Sequence, residues 1–198
     1  MKHPLSLLPG VLVLAASLVG PMAMAQADPG GAWLDESTPW NTAAAAIPSA
    51  PTPEGGGNLA SCEDSFRAAT LPEDALVEAA GWTLVGSAQV YGPTTLITGM
   101  SDADGMCRPL GYQVFVFSNG AFVGTLSPVV MNSRTDGSLI SADLYSPTNL
   151  TATFNRYTPE DALCCASASS LVFYQIEDQV VVPTLPADTT PATQPEVN

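Results

Sequence analysis

The chain has 198 residues, of which 46% are hydrophobic and 12% are charged, and its formal net charge is −14. This apolar content is enough for the core of one or two domains, so wholesale disorder is excluded. The acidity argues against nucleic acid and against electrostatic binding to anionic lipid, because both require clusters of Lys and Arg.

The first 25 residues have the pattern of a signal peptide. A basic start at Lys2 and His3 precedes an apolar stretch over residues 5–19, and small residues stand on either side of Met24. The stretch is too short to span a membrane. We therefore predict cleavage after Ala25, before Gln26, and export to the periplasm or the extracellular space.

A second motif is similar to a lipoprotein signal. Leu59-Ala60-Ser61-Cys62 reads like a lipobox, whose Cys is lipidated, but a long segment rich in Gly, Pro and Ala separates it from the apolar stretch. The signal machinery reads the boundary of the apolar region, so we expect neither a lipid anchor nor a membrane span.

Loss of the signal peptide removes Lys2 and His3, the only Lys and His of the chain. Neither a Ser-His-Asp triad, a Cys-His pair, a Lys Schiff base nor an imidazole zinc site is then possible. Carboxylate-only chemistry, as in glycoside hydrolysis, remains open. With no nucleophile elbow and no phosphate-binding glycine loop, the sequence predicts a protein that is not an enzyme and binds no cofactor.

Residues 26–60 are rich in Pro, Gly and Ala and predict a flexible arm. Trp33 and Trp40 are unusual in such a segment, and they either pack on the domain as a strap or contact a partner. We expect removal of the arm to leave the melting temperature nearly unchanged. Residues 183–198 contain four prolines and predict a disordered tail.

The remaining residues, 61–182, predict a single α+β domain. Thr70 as a cap, Pro72 in the first turn and Glu73 three residues after the cap predict a helix that ends at Gly81. After it, turn signals recur too often for parallel crossovers, and Asn119-Gly120 is the strongest hairpin signal among them. The predicted strands cover residues 82–91, 94–100, 112–118, 121–127, 139–145, 150–157, 171–176 and 179–182.

These strands predict an antiparallel meander that is curled around, or packed on, the N-terminal helical segment. The strand over residues 112–117 is apolar on both faces, so it should be central and covered on both sides. In residues 150–157, Leu150, Ala152 and Phe154 should face the core, which leaves a wet face of Thr and Asn.

Two groups of charged residues are weak candidates for a site. Asp102 and Asp104 resemble the start of a calcium loop, but the downstream acid is missing and an Asp/Gly turn fits better. Arg108, Arg134 and Arg156 either converge on an anionic ligand or pair with nearby carboxylates, which the acidity favours.

The four cysteines, Cys62, Cys107, Cys164 and Cys165, predict two disulfides behind a signal peptide. Their spacing is a poor match for a metal site, and the absence of C-x-x-C argues against a redox site. A bond between neighbours closes a strained eight-membered ring. We therefore expect Cys164 and Cys165 to pair with Cys62 and Cys107, in an order that the sequence leaves open.

A series of short motifs resembles a known family. They are Gly111-Tyr112-Gln113-Val114-Phe115-Val116-Phe117, Asn119-Gly120, Gly124-Thr125-Leu126-Ser127-Pro128, Met131, Ser133-Arg134, Asp136-Gly137 and Leu163-Cys164-Cys165. In this order they are similar to the LppP/LprE lipoproteins of bacterial envelopes, over about residues 62–183. The resemblance implies an envelope location but no established activity, and its usual lipidated Cys is missing at Ala25-Gln26.

The sequence thus predicts a non-enzymatic secreted or envelope protein that binds an unknown envelope or extracellular partner. The alternatives are a carboxylate-based hydrolase acting on glycans, with two carboxyls in a cleft, and a protease-inhibitor-like module with one rigid exposed loop.

Overall fold

A computed structural model describes residues 30–36, 38–53 and 58–184, so the predicted signal peptide and almost all of the predicted tail lie outside the described residues. None of the helices within these ranges is long and apolar enough to cross a membrane. Short 3-10 segments occur at Gly30–Asp35, Leu59–Ser61 and Glu63–Ser65. The main elements are α1 (Pro72–Ala79), β1 (Thr83–Tyr91), β2 (Thr94–Ala103), β3 (Pro109–Ser118), β4 (Ala121–Thr125), β5 (Leu139–Leu144), β6 (Asn149–Arg156), β7 (Ala168–Glu177) and β8 (Val180–Thr184).

The eight strands form two antiparallel sheets, with the orders β1-β2-β3-β4 and β5-β6-β7-β8. The prediction of eight antiparallel strands in a meander is confirmed. The expectation of an α+β domain, with one sheet curled around or packed on a helical segment, is corrected to a mostly β fold with two sheets, because residues 126–138 carry the chain from one sheet to the other instead of closing a hairpin. Hairpin signals are local, so they do not determine which hairpins share a sheet.

The main core lies between the two sheets and is built from inward side chains of both. Two buried tyrosines each make a hydrogen bond to the backbone of another part of the chain. Tyr112 accepts one from the backbone N–H of Leu139 at 2.7 Å, and Tyr174 donates one to the carbonyl of Leu126. Burial raises the pKa of Tyr112 to about 12 and that of Tyr174 well above its usual value. Both phenols therefore remain neutral and serve as fixed polar links within an apolar core.

A second cluster covers the opposite face of the first sheet. Val77 of α1 and Trp82 pack there against Phe115 and Phe117 of β3, and β3 is buried on both faces, as predicted. The cluster consists of Val77, Trp82, Leu84, Ile97, Phe115 and Phe117, with Ile47 and Ala50 of the predicted arm packed against it.

The second sheet is covered on one face only. Leu150, Ala152 and Phe154 of β6 point into the core and are fully buried, which confirms the predicted alternation. In the described ranges its other face remains open to solvent.

Helix α1 begins with a carboxylate cap that differs from the predicted one. Asp74, in the first turn, accepts hydrogen bonds from the backbone N–H groups of Thr70 and Leu71 at 2.9 Å each, and it pairs with both terminal nitrogens of Arg67. The Arg67 guanidinium and these N–H groups lower the pKa of Asp74 to about 2, although burial opposes the shift. The predicted cap by Thr70 is therefore corrected, because Leu71 stands at the cap position and its backbone N–H donates to Asp74.

The structure also corrects the prediction of a flexible arm. Trp33 is 7% exposed and makes an edge-to-face contact with Phe154, with ring centroids 5.0 Å apart. Trp40 makes an edge-to-face contact with Trp33, and its ring N–H donates to the carbonyl of Thr125 at 3.1 Å. Both tryptophans pack on the domain, which is the strap that the sequence offered as one alternative. Trp33 is buried and therefore not an exposed partner contact, and Trp40 is half-buried in the same cluster.

The N-terminal segment is held against the domain near Gly31 and Asp35 and again at Pro48. Arg156 of β6 binds the carboxylate of Asp35 at 2.7 Å, which raises the pKa of the guanidinium and lowers that of Asp35. Gly31 lies so close to the turn at Gly137 that a Cβ atom there would be 2.7 Å from the Gly137 nitrogen. Further along, Pro48 accepts a hydrogen bond from the ring N–H of Trp82 at 2.7 Å.

Asn41 of this segment also closes one seam between the sheets. Its side-chain amide donates to the carbonyl of Thr125 in β4 at 3.0 Å and to that of Val181 in β8 at 2.9 Å. It accepts from the backbone N–H of Thr125 at 2.9 Å. One side chain thus makes the hydrogen bonds that a further strand would make between β4 and β8.

The opposite seam joins β1 to β5 through Gln89. This side chain donates to the carbonyl of Ala142 and accepts from the backbone N–H of Leu144 at 3.0 Å. Gln89 follows a bulge in β1, after Val85. A bulge turns the strand locally, and here the amide faces the edge of the other sheet.

The disulfides connect Cys62 to Cys107 and Cys164 to Cys165, which overturns the predicted pairing. The backbone N–H of Asn58 donates to the carbonyl of Ala103, so the segment around Cys62 lies against the β2–β3 turn that carries Cys107. The Cα atoms of this pair are 5.3 Å apart. Cys164 and Cys165 lie in the loop that connects β6 to β7, and they are bonded to each other.

Candidate functional site

The open side of the second sheet carries the strongest candidate surface. Along β7, buried and exposed residues alternate strictly: Val172 and Tyr174 point into the core, whereas Leu171 and Phe173 point outward. The outward side chains are 46% and 49% exposed. Because side chains two residues apart share a face of a strand, they form one continuous apolar area.

Uncharged residues border this pair on the neighbouring strands. In the sheet register Leu171 is opposite Thr153, and Phe173 lies between Thr151 of β6 and Thr184 of β8. Residues paired directly across antiparallel strands share a face. We call this surface the open face; it consists of Thr151, Thr153, Leu171, Phe173 and Thr184.

Acidic residues mark two borders of the open face. Asp143 of β5 is paired with Thr151, and Glu177 of β7 is paired with Val180. Both acids are exposed. The face is therefore an apolar centre with a partly acidic margin.

The β6–β7 loop continues from the same two strands and is held together by Asp161. The carboxylate of Asp161 accepts hydrogen bonds from the backbone N–H of Thr158 at 2.8 Å and from the backbone N–H and hydroxyl of Ser167 at 3.0 and 2.9 Å. These backbone hydrogen bonds lower the pKa of Asp161. The carboxylate thus joins the two ends of the loop and defines its shape.

The tip of this loop consists of Leu163, Cys164 and Cys165, and all three are exposed. Leu163 is 71% exposed, and its carbonyl accepts a hydrogen bond from the hydroxyl of Tyr157 at 3.2 Å. The backbone N–H of Cys165 donates to the carbonyl of Ala162 at 2.8 Å, which folds the tip into a turn. The structure therefore presents an apolar side chain and a disulfide side by side on a fixed loop.

The weak metal candidates have other roles. Asp104 accepts hydrogen bonds from the backbone N–H groups of Met106 and Arg108 at 2.8 and 3.0 Å and forms an ion pair with the Arg108 side chain. Asp102 is 8% exposed and accepts from the backbone N–H of Ala103 at 2.7 Å. This is the Asp/Gly turn that the sequence favoured, and within the described ranges no group of three potential ligands meets to hold a metal.

Two of the three grouped arginines pair with carboxylates, as the acidity favoured. Arg108 pairs with Asp104, and Arg156 pairs with Asp35 and with Asp136 at 3.2 Å. Cys62 of the lipobox-like motif is 2% exposed and bonded to Cys107, so its sulfur is already occupied in this fold.

Sequence reasoning missed both parts of the candidate surface. The run over residues 171–176 is apolar at almost every position, so alternation alone does not tell which side chains point outward. The adjacency of Cys164 and Cys165 is visible in the sequence, but the strain of an eight-membered ring predicts that they do not bond to each other.

The motifs quoted for the resemblance extend from β3 to the loop tip, and the comparison with known families covers the same region. Residues 90–179 match the family model of the LppP/LprE lipoproteins. The LppP/LprE match confirms the predicted resemblance over a shorter range than expected, from the end of β1 to the end of β7. It includes the loop tip and most of the open face, and it indicates a cell-envelope protein. No curated protein and no solved structure matches the chain.

Proposed function

We propose that the chain is a non-enzymatic binding module of the cell envelope whose open face binds a partner protein. The observation that carries the proposal is the adjacency of Leu171 and Phe173, two large apolar side chains that are each about half exposed on the same face of β7. Contiguous exposed apolar area with a polar margin is typical of interaction surfaces. An aromatic residue at its centre is the usual anchor of such an interface.

The charge distribution indicates which partner would fit. The chain carries 19 acidic residues, two of which, Asp143 and Glu177, border the open face, while the face itself is uncharged. The matching surface is an apolar patch with a neutral or basic margin, because like charges across an interface oppose association. We therefore propose a protein partner of that character.

Four of the carboxyl groups have the lowered pKa of structural carboxylates, not the raised pKa of a catalytic acid. Hydrogen bonds lower the pKa of Asp35, Asp74, Asp104 and Asp161, and each of these groups is engaged by an arginine, by backbone N–H groups or by both. A glycan hydrolase needs a general acid whose pKa is raised, which is the opposite shift.

Site-specific photo-crosslinking tests the proposed surface. A photoreactive amino acid is placed at Leu171, at Phe173 or at Leu76 in the full chain, which is produced in an organism that exports it. Leu76 of α1 is the matched control, because it is also 46% exposed but lies away from the open face. We expect a discrete crosslinked species with the first two chains and none with the third.

Competition with purified, unlabelled protein then distinguishes specific binding from nonspecific adsorption. Unlabelled chain added in excess should suppress the crosslink, and a chain with Leu171→Ser and Phe173→Ser should not. The absence of a crosslink at both sheet positions, or the same species at Leu76, would contradict the proposal.

We also propose that the protein is exported and cleaved after Ala25 without a lipid. The apolar stretch before Ala25 and the bonded sulfur of Cys62 support this. The intact mass of the secreted chain should correspond to a start near Gln26. A lipid-modified chain that begins at Cys62 would contradict it.

A further inference from the structure

The two disulfides of this protein occupy opposite environments. Cys62 is 2% exposed and Cys107 is half-buried, and their bond joins residues that are 45 positions apart. Cys164 and Cys165 are adjacent in sequence, and both are exposed at the loop tip. The difference concerns both access to the sulfur atoms and what each bond does for the fold.

Stability accounts for the first bond but not for the second. A disulfide stabilises a protein mainly by restricting the unfolded chain, and this effect grows with the length of the loop that it closes. The bond between Cys62 and Cys107 closes a long loop, whereas a bond between neighbours restricts almost nothing. A structural role therefore leaves the Cys164–Cys165 bond unexplained.

We propose that the Cys164–Cys165 disulfide is a redox-reactive site that accepts electrons from a dithiol of the cell envelope. Exposed disulfides are the labile members of their class, because an attacking thiolate must reach the sulfur. Asp161 holds the loop so that the tip projects, and Leu163, at 71% exposure, offers an apolar contact beside the reacting atoms.

The exchange proceeds in two steps. A thiolate of the partner attacks one of the two sulfurs and forms a mixed disulfide, while the Cys164–Cys165 bond breaks and its electron pair leaves on the other sulfur, which takes up a proton. The second thiol of the partner then attacks the mixed disulfide and releases the first cysteine as a thiol. The partner dithiol is oxidised to a disulfide, and Cys164 and Cys165 are reduced by two electrons and two protons.

The sequence around the loop tip supplies no Lys or His that could activate a thiol. A thiol becomes a good nucleophile when a nearby cation lowers its pKa. The chain has no Lys or His beyond residue 3, and the tip follows Glu160 and Asp161. No Lys or His is therefore available to activate the reduced pair as a nucleophile, and the proposed reaction uses the oxidised pair, whose sulfur the partner's thiolate attacks.

The first test uses the internal contrast between the two bonds. Purified oxidised chain is exposed to increasing dithiothreitol without denaturant, free thiols are alkylated, and the peptides are mapped by mass spectrometry. We expect the peptide with Cys164 and Cys165 to be alkylated at dithiothreitol concentrations at least about tenfold lower than those that expose Cys62 and Cys107. The melting temperature should not change at the intermediate concentration.

The second test traps the intermediate. A C-x-x-C peptide whose second Cys is replaced by Ser cannot complete the exchange, so it should remain attached to the chain at Cys164 or Cys165. A chain with Cys164→Ser and Cys165→Ser retains the other disulfide and should give no adduct, while its melting temperature shows that it is folded.

Three results would overturn the proposal. They are free thiols at Cys164 and Cys165 in the protein as purified, simultaneous or earlier reduction of the Cys62–Cys107 bond, and an adduct on Cys62 or Cys107. None of these measurements involves Leu171 or Phe173, so the proposal stands or falls independently of the partner surface.

Discussion

The two sheets have the same strand order and the same antiparallel pairing, but they have different surroundings. The first is covered on one face by the second sheet and on the other by a cluster that includes Val77 of α1 and Ile47 of the N-terminal segment. The second has the shared core on one face and the open face on the other. The difference indicates a division of roles: the first sheet stabilises the molecule, and the second presents Phe173 and the loop tip outward.

The largest effect should come from removing the N-terminal segment, which contributes Trp33 and Leu34 to the shared core and Ile47 to the cover of the first sheet. We expect a chain that starts at Asn58 to melt more than about 10 °C below a chain that starts at Gln26, because it loses the buried Trp33 and Leu34. Thermal unfolding followed by circular dichroism checks this. A difference below about 2 °C would restore the interpretation of residues 26–60 as a flexible arm.

Two phenylalanines test the same difference at single positions. Phe115 of the first sheet is fully buried against Trp82, with ring centroids 5.1 Å apart, whereas Phe173 of the second is 49% exposed. Phe115→Ala should cost about 3–5 kcal/mol of unfolding free energy, and Phe173→Ala less than about 1 kcal/mol. Denaturant titration measures both, and equal losses would show that the open face is covered in solution.

The disulfides give a third pair of variants. Replacing Cys62 and Cys107 together by Ser should lower the unfolding free energy by about 2–4 kcal/mol, because the bond closes a loop of 45 residues. The same change at Cys164 and Cys165 should lower it by less than about 0.5 kcal/mol, as for other exposed positions. A large loss for the second pair would mean that the loop tip supports the fold.

Acid titration compares a carboxylate beside each sheet. The folded pKa of Asp74 is about 2, below the value of about 3.9 in an unfolded chain. Its contribution, on the order of 2 kcal/mol, is therefore complete above about pH 4 and is lost as the pH falls towards 2. The stability gap between the natural chain and Asp74→Asn should shrink over that range, and Asp161→Asn, on the exposed loop, should show only a small gap throughout.

Local chemistry explains what was predictable from the sequence. Asn119 and Gly120 both have positive φ, 51° and 76°, as the hairpin signal requires, and the predicted strands lie within a few residues of the observed ones. The burial of both faces of β3 followed from its continuous apolar run. These features depend on neighbours in sequence, so one chain is enough to find them.

The features that could not be predicted depend on distant partners. Trp40 and Asn41 bind Thr125, 85 and 84 positions away, and no periodicity marks such contacts. Four cysteines permit three pairings, and only the fold brings Cys62 to the β2–β3 turn. The position of the open face depends on which side of β7 packs against the core. Because β7 is apolar at almost every position, its sequence does not identify that side.

The amide side chains at the two seams have a consequence for self-association. An unpaired edge strand is a template on which another copy can add a strand, the first step towards aggregation. Gln89 occupies hydrogen-bonding groups on the edge of β5, and Asn41 occupies those of β4 and β8. The backbone N–H of Arg67 donates to the carbonyl of Leu84 on β1, at 3.1 Å. Every sheet edge is thus partly occupied, so the protein can expose an apolar face to a partner without offering its strands to copies of itself.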